Sequence, residues 1–367
     1  MLDINYKQVA KTIINDSMKL NEDDVVWILA GDHNLPLCEE IGIQTWKIGA
    51  FPIIEMQSDN LMKRMYKETP DKYLKKPHTG LANIRKHITA FIYMEPLKDP
   101  TTLESVPAYK KIAYMTSAMP AKKVLWNGDV KVSLFLYPTP EMAKAYNVSW
   151  EFYHDRVWGA IQISPDELYR ASKPIKDFLT GKKNIHITSP KGTDLRFSIE
   201  NRGILLCTGE DLDENRELGD ANLNIPAGEA FTSIVEDSTN GVAVFDKVFV
   251  DGTCVDDLRL EFKDGSAISF DAASNKDKFG EFFNSLKPKD KIAAEFGIGT
   301  NPAVKGVIGC LHTDEKIAGT IHIAIGSNLM YGGKNETPLH FDMIMPGPTV
   351  VADGETMMNA GRLTING

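Results

Sequence analysis

The sequence predicts an α/β N-terminal domain with a mostly parallel sheet, followed by a mostly β (α+β) C-terminal domain. Two textures carry that expectation. Before about residue 190 helical stretches alternate with short apolar runs, and after it short strands separated by Gly, Asp and Asn turns dominate. Helix alternating with buried strand is the pattern of a parallel sheet, whereas closely spaced turns mark antiparallel strands. The composition supports both parts, since 367 residues at 43% hydrophobic and 25% charged build one large core or two medium ones.

Taken in order, Tyr6 to Leu20 has helical periodicity, and Val25-Val26-Trp27-Ile28-Leu29-Ala30 reads as a buried strand ending in Gly31-Asp32. Lys111-Ile112-Ala113-Tyr114-Met115 reads as another strand. Pro165 to Gly181 bridges the halves, helical from about Asp166 to Leu179 with a kink or break at Pro174, where the backbone lacks a donor. The domains are accordingly 1–185 and 186–367. In the second, Gly241 to Asp251 and Asp257 to Phe262 read as strands, Asp264-Gly265 as a hairpin turn, and Asn275 to Leu286 as a helix.

Composition also excludes functions. No apolar run reaches the roughly 18 residues of a membrane span, and Met1-Leu2-Asp3-Ile4-Asn5-Tyr6 lacks the charged and apolar regions of a signal peptide, so the expected location is the cytoplasm. A net charge of −9 and a pI of about 5.5 argue against a nucleic-acid partner, because phosphate binding wants a basic surface. Cys38, Cys207, Cys254 and Cys310 form no closely spaced pair and read as reduced, buried thiols.

Three late stretches place metal-type ligands on one face of a strand and aliphatic side chains on the other. Ile292, Ala294, Phe296 and Ile298 alternate with a set whose donor is Glu295; the isoleucines of Thr320 to Ile325 oppose His322; Leu339, Phe341 and Met343 alternate with His340 and Asp342. Glu229 follows the turn-prone Asn224-Ile225-Pro226-Ala227-Gly228 and starts a strand. A site for two divalent metals needs several carboxylates, one of them bridging, and one or two neutral imidazoles. The candidates are Glu229, Glu295, His322, His340 and Asp342, with Glu315 in reserve. Singly each has a bland alternative, a satisfied histidine or a solvated acid.

The wording of these segments carries a resemblance: Lys191-Gly192-Thr193-Asp194-Leu195, then Asn224 to Thr232, then Asp314-Glu315 ahead of His322-Ile323-Ala324-Ile325-Gly326, then Gly332-Gly333 ahead of His340-Phe341-Asp342. Through residues 190–345 the chain resembles the aminopeptidase T family of metallopeptidases, and the N-terminal half is similar in general layout. The resemblance implies an α/β domain followed by a metal-binding catalytic domain, a homodimer around an inner cavity, and Glu229, Glu295, His322, His340 and Asp342 as ligands of two divalent ions of the Zn, Co or Mn type. Glu295 is then the best candidate for the bridge. The implied activity is hydrolysis of N-terminal residues from small peptides, a cytoplasmic metalloprotease reaction; a carboxylate not bound to metal must accept the proton of the attacking water, and Glu315 is the candidate, its alternative reading being a surface acid beside Lys316.

Two departures stand out. The family places a tyrosine near the metals three residues after the Gly, where this chain has Leu329; Tyr331, two residues on, takes that role only if the loop shifts. The interval from His322 to His340 is also shorter than in the peptidases. A second reading therefore stays open, resemblance to the 2,5-dihydroxypyridine ring-cleaving dioxygenases, in which His322, His340 and Asp342 would hold a single Fe(II) and a small aromatic substrate.

Other features read blandly. The glycines between Gly326 and Gly333 imply loop flexibility, Lys72 to Lys76 with His78 a solvated helix end, and Trp150, Phe152, Tyr153, His154 and Trp158 core packing. His33, just past a strand's C-terminal end, sits where α/β folds bind ligands.

Overall fold

The structure, a computed structural model, describes residues 1–125, 129–220 and 222–365. The chain forms two compact units. The first comprises Met1–Trp158 with Gly209–Arg216 and Ala221–Ile225; the second comprises Gly159–Thr208, Glu217–Asp220 and Pro226–Gly367. The division falls at Trp158/Gly159, whereas the sequence expectation was 185/186. The chain returns to the first unit twice, at Gly209–Arg216 and again where Asn222–Ile225 joins its sheet.

In the first unit five parallel strands run in the order Phe51–Gln57, Val25–Gly31, Ala90–Met94, Lys131–Phe135, Asn222–Ile225. From Val26 to Gly31 every residue is buried, as a strand covered on both faces must be. Trp27, Leu29, Phe91 and Val132 of neighbouring strands share one core with Ile88, Leu125 and Val130. Trp158 packs beside Tyr6, Phe135 and Tyr137, and Tyr153 is fully buried, while Phe152 is exposed.

One element is corrected. Lys111 to Met115 is not a strand but part of the helix Ala108–Leu125. Five apolar-looking residues carry too little periodicity to separate strand from helix. The longer frame decides: Ser117 and Ala121 are buried and the Tyr114 ring meets Tyr66 and His78, while Ile112 and Met115 are 63% and 55% exposed. The helix Pro165–Leu179, by contrast, runs through Pro174, held by a buried face of Leu168, Ser172, Ile175 and Leu179.

The second unit holds two antiparallel sheets. Eight strands run in the order Ser266–Asp271, Thr253–Lys263, Asn240–Val250, Asp194–Ser198, Asn184–Thr188, Thr349–Ala352, Glu355–Asn359, Arg362–Leu363. The hairpin at Asp264-Gly265 has positive φ at both residues, 46° and 83°, the mirror-image turn that matches strand twist. Five more strands run His340–Pro346, Thr320–Gly326, Ala293–Gly299, Glu229–Ser233, Leu205–Cys207. The aliphatic face of this second sheet meets the first sheet: Phe296 lies edge-on to Phe197 at 5.3 Å, and the Thr193 hydroxyl approaches Met345 Sδ at 3.7 Å. All residues from Ala293 to Gly299 and from Thr320 to Gly326 are buried. The other face is therefore covered too, and that face holds the polar residues.

Candidate metal centre

Residues paired across antiparallel strands share a face, so the register of the five-stranded sheet assembles the site. Asp342 pairs with Ala324, which pairs with Glu295, which pairs with Ser233. In the next row Ile344, His322, Gly297, Phe231 and Leu205 lie side by side, and beyond it Gly299, Glu229 and Cys207. His340, opposite Gly326, completes the face from the edge strand. The five ligand candidates, separated by up to 113 positions in sequence, thus converge on one surface because the pleat has a period of two.

Glu295 is central. Its Oε1 lies 3.3 Å from His322 Nε2 and its Oε2 lies 3.1 Å from His340 Nε2. Asp342 Oδ1 stands 3.4 Å from the same His340 nitrogen, and Glu229 Oε2 stands 3.7 Å from His322 Nε2. The other nitrogen of His340 lies 2.8 Å from the Ser327 carbonyl. A carbonyl only accepts, so Nδ1 carries the proton and the lone pair of a neutral His340 faces two carboxylates. Burial opposes charge on both imidazoles, yet the surrounding carboxylates win: Asp342 and Glu295 push His340 up to about 12, and Glu295, Glu229 and Asp342 push His322 up to about 9. Burial would raise Glu295, but the two imidazoles hold it at about 2.

These values describe a pocket that wants positive charge. Glu229 Oε2, Asp342 Oδ1 and His322 Nδ1 are buried and, among the described residues, have no hydrogen-bond partner. Orphaned buried oxygens are costly unless a cation fills the gap. Ligand atoms of Glu295, His340 and Asp342 all lie within 4.8 Å of one another, close enough for one ion. The donor set of carboxylate oxygens and imidazole nitrogens suits a divalent metal.

The structure also alters the reading of Glu315. Far from being a surface acid, it is nearly buried and lies 2.6 Å from Nζ of Lys316, which has no exposed side-chain surface and also bonds to Glu229 Oε1. Burial works against the ammonium, but Cys207, Glu229 and Glu315 around it hold it well above the ordinary range. Lys316 was not singled out by sequence, because Asp314-Glu315-Lys316 reads like any solvated charge run. Gly297 was also missed, although its place two residues after Glu295 put it on the ligand face.

In the loop after His322 the two candidate positions, 329 and 331, differ in exposure and contact. Leu329 is 50% exposed, whereas the Tyr331 ring packs on His340 at 5.5 Å and edge-on to Phe231 at 5.3 Å. Burial and the negative charges of Glu295, Asp342, Glu229 and Glu315 push its phenol well above the ordinary range, so it remains a hydroxyl donor. The glycine-containing loop is pinned. Glu236 accepts from the Lys334 amide at 2.6 Å and from Asn328 at 3.0 Å, and Arg202 donates to Glu236 and to the Gly332 carbonyl.

Known proteins share the fold and the family of this chain. The fold is similar to that of wild-type AmpT from Thermus thermophilus, with a TM-score of 0.79 and 21% identity over 98% of this chain and 99% of that one. It is also similar to 2,5-dihydroxypyridine dioxygenase from Pseudomonas putida KT2440, with a TM-score of 0.66 and 14% identity over 99% of this chain and 98% of that one. No curated protein sequence matches the chain. The model of the thermophilic metalloprotease family, M29, matches residues 2–355, nearly the whole length, and the chain belongs to that family.

Proposed function

We propose that this metalloprotease is an aminopeptidase that removes N-terminal residues from small peptides, with two divalent ions of the Zn, Co or Mn type held by Glu229, Glu295, His322, His340 and Asp342. One observation supports the reading: each oxygen of Glu295 faces a different imidazole, so that one carboxylate would be able to serve two cations. When bound, such ions bring a water's pKa toward neutrality and polarise a carbonyl. The protein's own groups supply the rest. The Ser327 carbonyl holds His340 in one tautomer and orientation. Glu315, fixed by Lys316, is the proposed acceptor of the attacking water's proton. Tyr331 is the proposed donor to the substrate oxygen that gains negative charge.

The ring-cleaving dioxygenase reading would require His322, His340 and Asp342 to share one Fe(II). The position of Glu295 between the two imidazoles speaks for the hydrolase instead. Elemental analysis of chelator-free protein, with hydrolysis of amino-acyl amides, tests the proposal. His340→Ala and Asp342→Ala should each lose metal and activity with the fold retained. O₂ consumption with a dihydroxylated aromatic substrate after ferrous reconstitution, without amide hydrolysis, would overturn it.

A cytoplasmic homodimer is part of the same proposal. No described helix is long and apolar enough to cross a membrane. The edge strand Phe51–Gln57 exposes Phe51, Ile53, Ile54 and Met56 beside Trp46 and Ile43, an apolar edge of the kind a second copy covers. Light scattering at micromolar protein should give a dimer mass, and Phe51→Glu should shift it toward the monomer.

A further inference from the structure

Lys316 touches Glu229 as well as Glu315, so it does more than fix the proposed base. Its ammonium lies between Glu229 and Glu315 with no exposed side-chain surface, so it has no solvent to retreat into. The two halves of the cation site consequently differ. Glu295, His340 and Asp342 bring their ligand atoms within 4.8 Å of one another, and among the described residues no other such set is as close. On the far side Glu229 gives Oε1 to Lys316 and has only Oε2 left for an ion beside His322.

We propose that Lys316 makes the two halves unequal: the Glu295–His340–Asp342 half takes the first divalent ion, and the Glu229–His322 half takes the second about ten-fold or more weakly. The inference rests on the two-cation reading of the site. An outer partner of a metal ligand ordinarily strengthens binding, by roughly ten- to a hundred-fold, because it orients the ligand. Lys316 orients Glu229 too, but it carries the same sign of charge as the ion. The repulsion acts at a fully buried ammonium, where screening is poor. Glu315 offsets part of the ammonium's charge, and without Lys316 both Glu229 and Glu315 would be left facing the second half uncompensated.

Calorimetric titration of the chelator-stripped, full-length protein with Zn²⁺ or Co²⁺ alone tests this. The wild type should bind in two steps separated by about ten-fold or more. Glu229→Gln should keep the tight step and lose the weak one. Lys316→Met should strengthen the weak step about ten-fold or more, so that the steps merge. Two equal steps in the wild type, loss of the tight step in Glu229→Gln, or a second step left unchanged or weakened by Lys316→Met would overturn the inference. Should Lys316→Met not fold, Lys316→Gln, which removes the charge but keeps a donor to Glu229, should strengthen the weak step in the same direction, and an unchanged or weakened step there would overturn the inference. Amide hydrolysis is scored separately: two-step binding without hydrolysis overturns the aminopeptidase reading alone, and no binding overturns both.

Discussion

The imidazole of His322 lies over Gly297 on the neighbouring strand, in the space that a side chain at 297 would fill: a β-carbon there would stand 2.0 Å from His322 Nε2. The two residues are paired across the ladder, so neither can slide away. Gly297→Ala should push the ring off Glu295 and lower metal affinity about ten-fold or more, with an overpacking cost of about 1–3 kcal/mol in stability. Metal retained after dialysis, with the thermal midpoint as a folding control, checks this. Unchanged affinity would mean that the ring has another way to reach Glu295.

Tyr331, not Leu329, stands against the site. Tyr331→Phe should lower kcat/KM by roughly ten-fold, the value of one hydrogen bond of about 1.4 kcal/mol in the transition state, with metal content unchanged. Leu329→Tyr should change little. A large gain from Leu329→Tyr in steady-state kinetics would reverse the assignment of the loop.

Glu236 holds the Tyr331 loop through Lys334, Asn328 and Arg202. Glu236→Ala should speed amide hydrogen exchange across residues 328–335 and lower kcat more than it raises KM. Glu236→Gln, which keeps an acceptor, should recover much of the loss. Combined with Tyr331→Phe, Glu236→Ala should add little further loss, since both act on one side chain.

Chelation should lower the thermal midpoint as well as stop hydrolysis. Ions that bind only the folded chain stabilise it by about 2.7 kcal/mol at a hundred-fold excess over Kd. Melting with and without a chelator, followed by readdition of Zn²⁺, measures the effect; equal midpoints would show that the carboxylate cluster does not need a cation to be stable.

His33 sets a pH limit in the first unit. Burial lowers its pKa below 6.5, against the opposing pull of Asp32, and neither ring nitrogen has a hydrogen-bond partner among the described residues. On acidification the unfolded chain takes up a proton first, so stability falls as the pH drops from about 6.5 toward the folded value. His33→Gln should flatten that slope. Thermal midpoints between pH 7.5 and 5 would show it, and an equally steep variant would place the dependence elsewhere.

The sequence by itself determined a good deal. Period-two alternation in 320–325 and 339–344 put His322, His340 and Asp342 on faces opposite their aliphatic neighbours, and the strand register kept them there. The Pro226-Ala227-Gly228 turn set Glu229 at the head of its strand. Local preference failed where the signal was short: 111–115 was too brief to separate helix from strand. Only the tertiary structure decided which charged residues lose their water. Lys316 and Glu315 look solvated in sequence because nothing local encodes burial, which here comes from strands and loops far along the chain. The choice between Leu329 and Tyr331 was likewise made at a distance. Arg202 and Glu236 pin the loop from other strand connections, and that long-range pairing, not the local spacing, turns the phenol toward His340.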